Sequence, residues 1–485
     1  MHRNQFDRLR LSAVTLAIAA AILLTGNTAW AAKNVIIMIA DGSGFNTWRA
    51  ASMYQGKLGN QTYDQPGWLL FGCSTYPLNI SLEPTGNETQ DRKLIYDPLK
   101  AWDTSVVRSK KTKTFAGYQY LTTTWTDSAA AATALATGRK TYNNAINWSN
   151  DNRPMRGLSI AEIAHARGKS AGVITTVQWS DATPAGLGGA HNVNRKNHAE
   201  IANEMLGGGW LDVIMGSGNP DFDNDGRRLP AEAKRNYEWV GGRDTWTALK
   251  QGKRGWKLIE SKAAFEALTS GPTPAKVVGT AEAASATQES RGKPMIADKT
   301  KAAPSLAAAF AVPFNQNVPS LPTMTKAAIH CMDGNPKGFY LMIEGGAVDW
   351  ANHANEPGRM IEEQIEFVQA VEAVVEWVDK HSNWDDTLLI LTADHECGLV
   401  WGPQSDKVAF QPLEKNGPGQ QPDMRHNSHG HSNSLVPLYA RGCGSEQFAE
   451  LVKGSDAKAA AVWRFSGDYI DNTDVFTVMK EEVEK

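Results

Sequence analysis

Three stretches of the chain carry unbroken apolar runs that stop at an acidic residue. Residues 34–40 read NVIIMIA and meet Asp41; residues 338–343 read GFYLMI and meet Glu344; residues 387–393 read TLLILTA and meet Asp394 and His395. An apolar run without polar alternation predicts a strand buried on both faces, as in a parallel sheet covered by helices. Between these runs the period changes. Residues 158–167, LSIAEIAHAR, predict a helix stopping at Gly168, and GVITTV after it predicts the next strand. Ile361, Ile365, Val368, Val371, Val375 and Val378 recur every three or four residues, which predicts one apolar stripe on a long helix. The alternation indicates an α/β fold, with a central, mainly parallel sheet sandwiched by helices. Such sheets hold ligands beyond the carboxyl ends of their strands. One acidic strand end is well explained as a loop cap; three predict a shared site.

The pattern fades between residues 216 and 320, which are rich in Gly, Pro, Ala, Lys and Thr, as in GPTPAKVVGTAEAASATQES. This stretch is expected to be an insertion or cap region between a first core segment, 32–215, and a second, 321–485. No internal repeat is found. Residues 1–31 read differently again. Arg3, Arg8 and Arg10 precede an apolar run from Leu11 to Leu24, and Ala29-Trp30-Ala31 fits a small-x-small cleavage rule. A signal peptide is expected, with export to the periplasm or the medium. No later run reaches the roughly 18 apolar residues of a membrane span, so no membrane association is expected after processing.

Composition narrows the class. The chain has 485 residues, 41% hydrophobic and 21% charged, with a formal charge of −3. That excludes a disordered tail or a collagen-like fibre. It lacks the basic surplus of a dedicated nucleic-acid binder. Cys73, Cys331, Cys397 and Cys443 permit two disulfides in an exported protein, or four free thiols; the spacing favours neither.

Five segments carry candidate chemistry. In TDSAAAATAL, Ser128 follows Asp127 and opens an Ala-rich helix, whose N-terminus favours an anion. In SDATP, Asp181 and Thr183 can present a carboxylate and a hydroxyl to a hard cation, and Arg195 can fork onto phosphate oxygens. In EGGAVDWANH, Glu344 precedes a glycine pair, and Asp349 and His353 share one helix face at i, i+4. Asp394 and His395 offer oxygen and nitrogen ligands together. His426, His429 and His431 form a late histidine cluster.

In order, VIIMIADGSG, TDSAAAATALATGRKTYNNAI, SDATPAG with HNVNR, FYLMIEGGAVDWANHAN, ILTADHE and GHSNSLVPLYA resemble the alkaline phosphatases. The resemblance implies an alkaline-phosphatase-like fold with a crown-like insertion. It implies hydrolysis of small-molecule phosphate monoesters through a phosphoserine, with two Zn2+ and one Mg2+ per chain. Ser128 is then the nucleophile, Arg195 the phosphate clamp and Asp127 its orienting partner. Asp349, His353 and His431 would hold one zinc; Asp41, Asp394 and His395 the other. Asp181, Thr183 and Glu344, with Asp41 bridging, would hold magnesium. Of the late histidines only His431 aligns with a ligand. Three divalent ions would offset Asp41, Asp181, Glu344, Asp349 and Asp394, which would otherwise repel one another. Two metals about 4 Å apart would clamp attacking and leaving oxygens. Family members are often homodimers, and the residues leave monomer and dimer both open.

One departure concerns Trp350, which stands where the best-studied bacterial members carry Lys; Asp181 is therefore expected to lack a nearby cation. A second cation site is considered at Asp221, Asp223, Asp225 and Glu232, whose spacing matches a calcium loop, although Arg227, Arg228 and Pro230 fit it poorly. Two rival functions are a phosphodiesterase of the same superfamily and a secreted metal- or phosphate-binding protein without turnover. The intact Ser128 argues against the second, because binding alone needs no nucleophile.

Overall fold

The computed structural model describes residues 31–108, 113–293 and 308–485. The signal-peptide segment falls in residues 1–30, outside the described residues. Eleven strands form one sheet. They are β1 (Asn34–Ala40), β2 (Leu69–Ser74), β3 (Ser170–Gln178), β4 (Val213–Ser217), β5 (Lys257–Ile259), β6 (Val277–Thr280), β7 (Phe339–Gly345), β8 (Thr387–Thr392), β9 (Val436–Gly442), β10 (Gly454–Ser455) and β11 (Asp468–Asp471). Across the sheet the order is β10-β11-β2-β9-β8-β1-β7-β3-β4-β6-β5. From β8 to β5 every pair is parallel; β9 runs antiparallel to both its neighbours, β8 and β2.

The apolar runs become strands because both of their faces are covered. Along β1, Val35, Ile37 and Ile39 join one core cluster while Ile36, Met38 and Ala40 join another. The first cluster includes residues of α1 (Ser128–Thr137), α2 (Ala182–Leu187) and α6 (Asn472–Glu484). The second is packed by α3 (Leu321–Met332) and α5 (Pro357–His381), the long helix expected from the Ile361-to-Val378 stripe. A shorter helix, α4 (Ala347–Ala354), lies between β7 and α5. The helix expected over 158–167 spans Ile160–Ala166, and Gly168 follows it at φ +79°.

Residues 216–320, expected as an insertion, are not set apart from this sheet. They supply β5 and β6, which extend the parallel edge beyond β4. Strands of three and four residues are too short to leave a readable apolar run.

Candidate active site

Four adjacent parallel strands end on one edge. In spatial order β8, β1, β7 and β3 lead into Asp394 and His395, Asp41, Glu344, and Asp181. Register fixes this convergence: Ile39 sits opposite both Glu344 and Thr392, and Thr175 sits opposite Glu344. The Thr175 hydroxyl donates to the Glu344 carboxylate across the strand pair.

Ser128 is the first residue of α1, and Asp127 caps the helix by accepting the Ala130 amide at 3.0 Å. The alanine run is a packing requirement. Helix α1 is buried throughout, and α2 approaches so closely that a Cβ at Gly186 would lie 2.7 Å from that of Ala132. The Ser128 hydroxyl, itself buried, lies 3.2 Å from His395 Nε2. The helix N-terminus suits a developing negative charge on this oxygen.

Two groups of potential metal ligands flank the serine. Asp41, Asp394 and His395 form one; Asp349, His353, His431 and Cys397 form the other. In each, the donor atoms lie within 4.8 Å of one another. Several observations say that cations fit here. Asp41 Oδ1, Asp349 Oδ1, Asp394 Oδ2, Thr183 Oγ1 and His395 Nδ1 are buried without a hydrogen-bond partner. Such atoms are costly to leave unmet. The His353 Nδ1–H donates to the His429 carbonyl at 2.5 Å, and the His431 Nδ1–H to the Thr126 carbonyl at 2.9 Å. Their Nε2 lone pairs then converge 3.0 Å apart, which only a shared electrophile makes favourable. Burial holds His395 and His431 down at about 3, so both rings stay neutral and keep a nitrogen lone pair. Burial and neighbouring carboxylates push Asp41 well up, and burial with Asp181 and Asp394 pushes Glu344 to about 8. These groups need added positive charge to ionise together. Mixed imidazole and carboxylate donors suit zinc, whereas the Asp181, Thr183 and Glu344 oxygens suit a harder ion such as magnesium.

Arg195 bridges Asp127 and Asp181. Its Nη1 lies 3.3 Å from Asp127 Oδ2 and its Nη2 3.1 Å from Asp181 Oδ1. The expectation that Asp181 lacks a cation is therefore corrected: Arg195 takes that place. Trp350 instead packs against Val177, Ala286 and Ala347.

The structure does not support a calcium loop at Asp221–Glu232. Asp221 is held by Arg235 at 3.1 Å and Lys250 at 3.3 Å, and Asp225 by Arg227 at 3.1 Å. Asp223 accepts the amides of Asp225 and Arg227, and Glu232 is exposed. Asp221, Asp223 and Asp225 are already engaged by cations and backbone amides. No disulfide joins the four cysteines among the described residues.

Sequence reasoning missed the supporting carbonyls of Thr126 and His429, because a backbone acceptor leaves no residue signature. It also missed Cys397 beside the imidazoles. A polar cleft of about 240 Å3 opens beyond His429, lined among others by Lys113, Tyr118, Asn355, Asp406 and Arg425.

Comparisons with known proteins bear on the family and the fold. The family model described as alkaline phosphatase matches residues 87–415. Alkaline phosphatase 4 of Bacillus subtilis (strain 168) is 36% identical over 279 residues, 56% of this chain and 50% of its own length. The alkaline phosphatase of Escherichia coli (strain K12) is 29% identical over 471 residues, 93% of this chain and 85% of its own. The chain thus spans about half the length of the Bacillus relatives it matches. Among solved structures, the cold-active alkaline phosphatase of Shewanella sp. superposes with a TM-score of 0.61 at 23% identity, covering 93% of this chain and 100% of that one. A TAB5 alkaline phosphatase mutant with Mg bound in its M3 site gives 0.59 at 21%, covering 94% and 99%. At these identities the structural likeness bears on the fold.

Proposed function

Since the chain belongs to the alkaline phosphatase family, we propose that it hydrolyses phosphate monoesters through a phosphoserine on Ser128. The observation that carries this reading is the placement of the Ser128 hydroxyl, 3.2 Å from His395 and at the positive end of a buried helix. We assign Asp41, Asp394 and His395 as ligands of one zinc, Asp349, His353 and His431 as ligands of a second, and Asp181, Thr183 and Glu344 as ligands of magnesium. When bound, the ions supply Lewis acidity at the attacking and leaving oxygens.

The chain's own groups do the rest. Arg195, anchored between Asp127 and Asp181, presents its guanidinium to the phosphoryl oxygens. Ser128 Oγ forms a bond to phosphorus as the ester P–O bond breaks. Ser128 gives up a proton and the departing alcohol gains one, so the half-reaction is proton-neutral. Water then attacks phosphorus, freeing phosphate and restoring the serine hydroxyl. Because His395 stands beside Ser128, the His353–His431 side faces the departing alcohol. The cleft beyond His429 is where that alcohol is received.

The Bacillus and Escherichia relatives bear alkaline phosphatase names, which supports the monoester reading over a diesterase. We also propose export, in keeping with the amino-terminal pattern. Among the described residues no helix is long and apolar enough to cross a membrane. The test is turnover of para-nitrophenyl phosphate and of its bis ester, with and without chelator. Monoester turnover that chelator abolishes, and that Ser128→Ala removes with the trapped phosphoenzyme, is expected. Preference for the bis ester, or full activity of Ser128→Ala, would overturn the proposal.

A further inference from the structure

Cys397 sits at the back of the Asp349–His353–His431 group. It belongs to a two-residue strand, Glu396–Cys397, that pairs antiparallel with His431–Ser432 and places Cys397 directly opposite His431. Side chains directly opposite in an antiparallel pair point to the same face. The sulfur accordingly falls within 4.8 Å of the ligand atoms of Asp349, His353 and His431. The residue is fully buried, and its thiol is unbridged. The backbone around it is fixed: the Cys397 amide donates to the Gly42 carbonyl at 3.0 Å, and Asn352 Nδ2 donates to the same carbonyl at 3.2 Å.

Asp349 needs what this thiol can give. Both of the group's imidazoles have an Nδ1–H tied to a backbone carbonyl, so their orientation is set. Asp349 Oδ1 is buried without a hydrogen-bond donor; the group that faces it is His431 Nε2 at 3.5 Å, whose lone pair cannot hold it. A carboxylate ligand that is free to rotate loses affinity each time it turns from the cation. A thiol hydrogen turns freely about its Cβ–Sγ bond and is a weak donor.

We propose that Cys397 is a positioning residue, its S–H donating to the Asp349 carboxylate and holding it in register with His353 and His431. This rests on the reading of those three residues as cation ligands, but it does not require turnover. The sulfur is a donor to a ligand here and not a ligand itself.

The test is zinc affinity, measured on the purified full-length chain by competition with a chromophoric chelator. Cys397→Ser keeps a rotatable donor; Cys397→Val keeps volume without one. Cys397→Ser is expected to bind near wild-type affinity, and Cys397→Val to lose roughly 10- to 100-fold at one site. Cys397→Ala serves the same purpose if valine prevents folding, which circular dichroism would show. Equal affinity in wild type and both apolar variants would overturn the proposal. So would loss in Cys397→Ser as large as in Cys397→Val, or a sulfur-to-metal charge-transfer band in the cobalt-substituted wild type. If wild type itself binds no zinc, the ligand assignment has failed instead.

Discussion

One oxygen of the Asp127 carboxylate caps α1 through the Ala130 amide, while the other accepts the Asn144 amide at 3.0 Å and faces Arg195. Asp127 thus ties helix start, loop and guanidinium together; the Asp-Ser pair suggested the helix start, the family resemblance implied the link to Arg195, and the loop contact left no sequence signal. His191 was not legible. In the sequence it is one histidine among HNVNR; in the structure it is buried between Glu162 and Glu204, 3.1 Å from the latter. Burial works against its charge, but the two carboxylates outweigh burial and hold it at about 9. A folded value above the unfolded 6.5 gives stability that is complete below 6.5 and lost as pH rises through about 9. The shift is worth roughly 3 kcal/mol. Glu162 and Glu204 are held below their usual value despite burial, by His191 and backbone amides, so their share is lost at the acid end. Melting temperature should therefore fall between about 6.5 and 9 in the wild type, and much less steeply in His191→Gln. Parallel curves for the two proteins would refute this.

At the scale of elements, the edge of the sheet was readable because burial on both faces forces long apolar runs, and each run ends where chemistry begins. The short strands β5 and β6 gave no such signal, and residues 216–320 were set outside the sheet for that reason. What sequence could not supply is closeness. Gly42, just after Asp41, takes φ +68°, and a Cβ there would lie 2.6 Å from Asp349 Oδ1 and 2.8 Å from its Cα. Helix α4, which carries Asp349 and His353, can approach β1 only over a missing side chain. Gly42→Ala is expected to destabilise the fold by about 1–3 kcal/mol. It should also displace Asp349 and reduce zinc binding and turnover at least tenfold. A variant with wild-type zinc stoichiometry and activity would show that the contact relaxes at no cost.

Across the whole molecule, the acidic strand ends are a destabilising load on the empty fold. Ligands that bind only the native state raise its stability by mass action. Removing divalent ions with chelator should lower the melting temperature, and zinc with magnesium should restore it. Because no disulfide joins the cysteines, a reducing agent should leave that melting temperature unchanged; a drop would reveal a bridge. The cleft beyond His429 carries Lys113 and Arg425 against Asp406, with Arg425 only 3.8 Å from that carboxylate. An excess of one cation suits alcohols bearing a second anionic group. Arg425→Gln should lower kcat/KM for a monoester with a carboxylate on its alcohol by roughly three- to tenfold relative to glycerol phosphate. An unchanged ratio would remove the cleft from substrate selection.

The reversal of β9 has one further consequence. In a purely parallel sheet, residues that precede a strand lie at the opposite edge from those that follow one. Because β9 runs against its neighbours, the segment leading into it, with His431, arrives at the same edge as Asp41 and Asp394. The donor set is therefore shared between the first strand and one of the last. On the proposed ligand assignment, a polypeptide halted before His431 during synthesis would own most of the framework and still be unable to complete its ion cradle, so loading with metal would report on the finished chain.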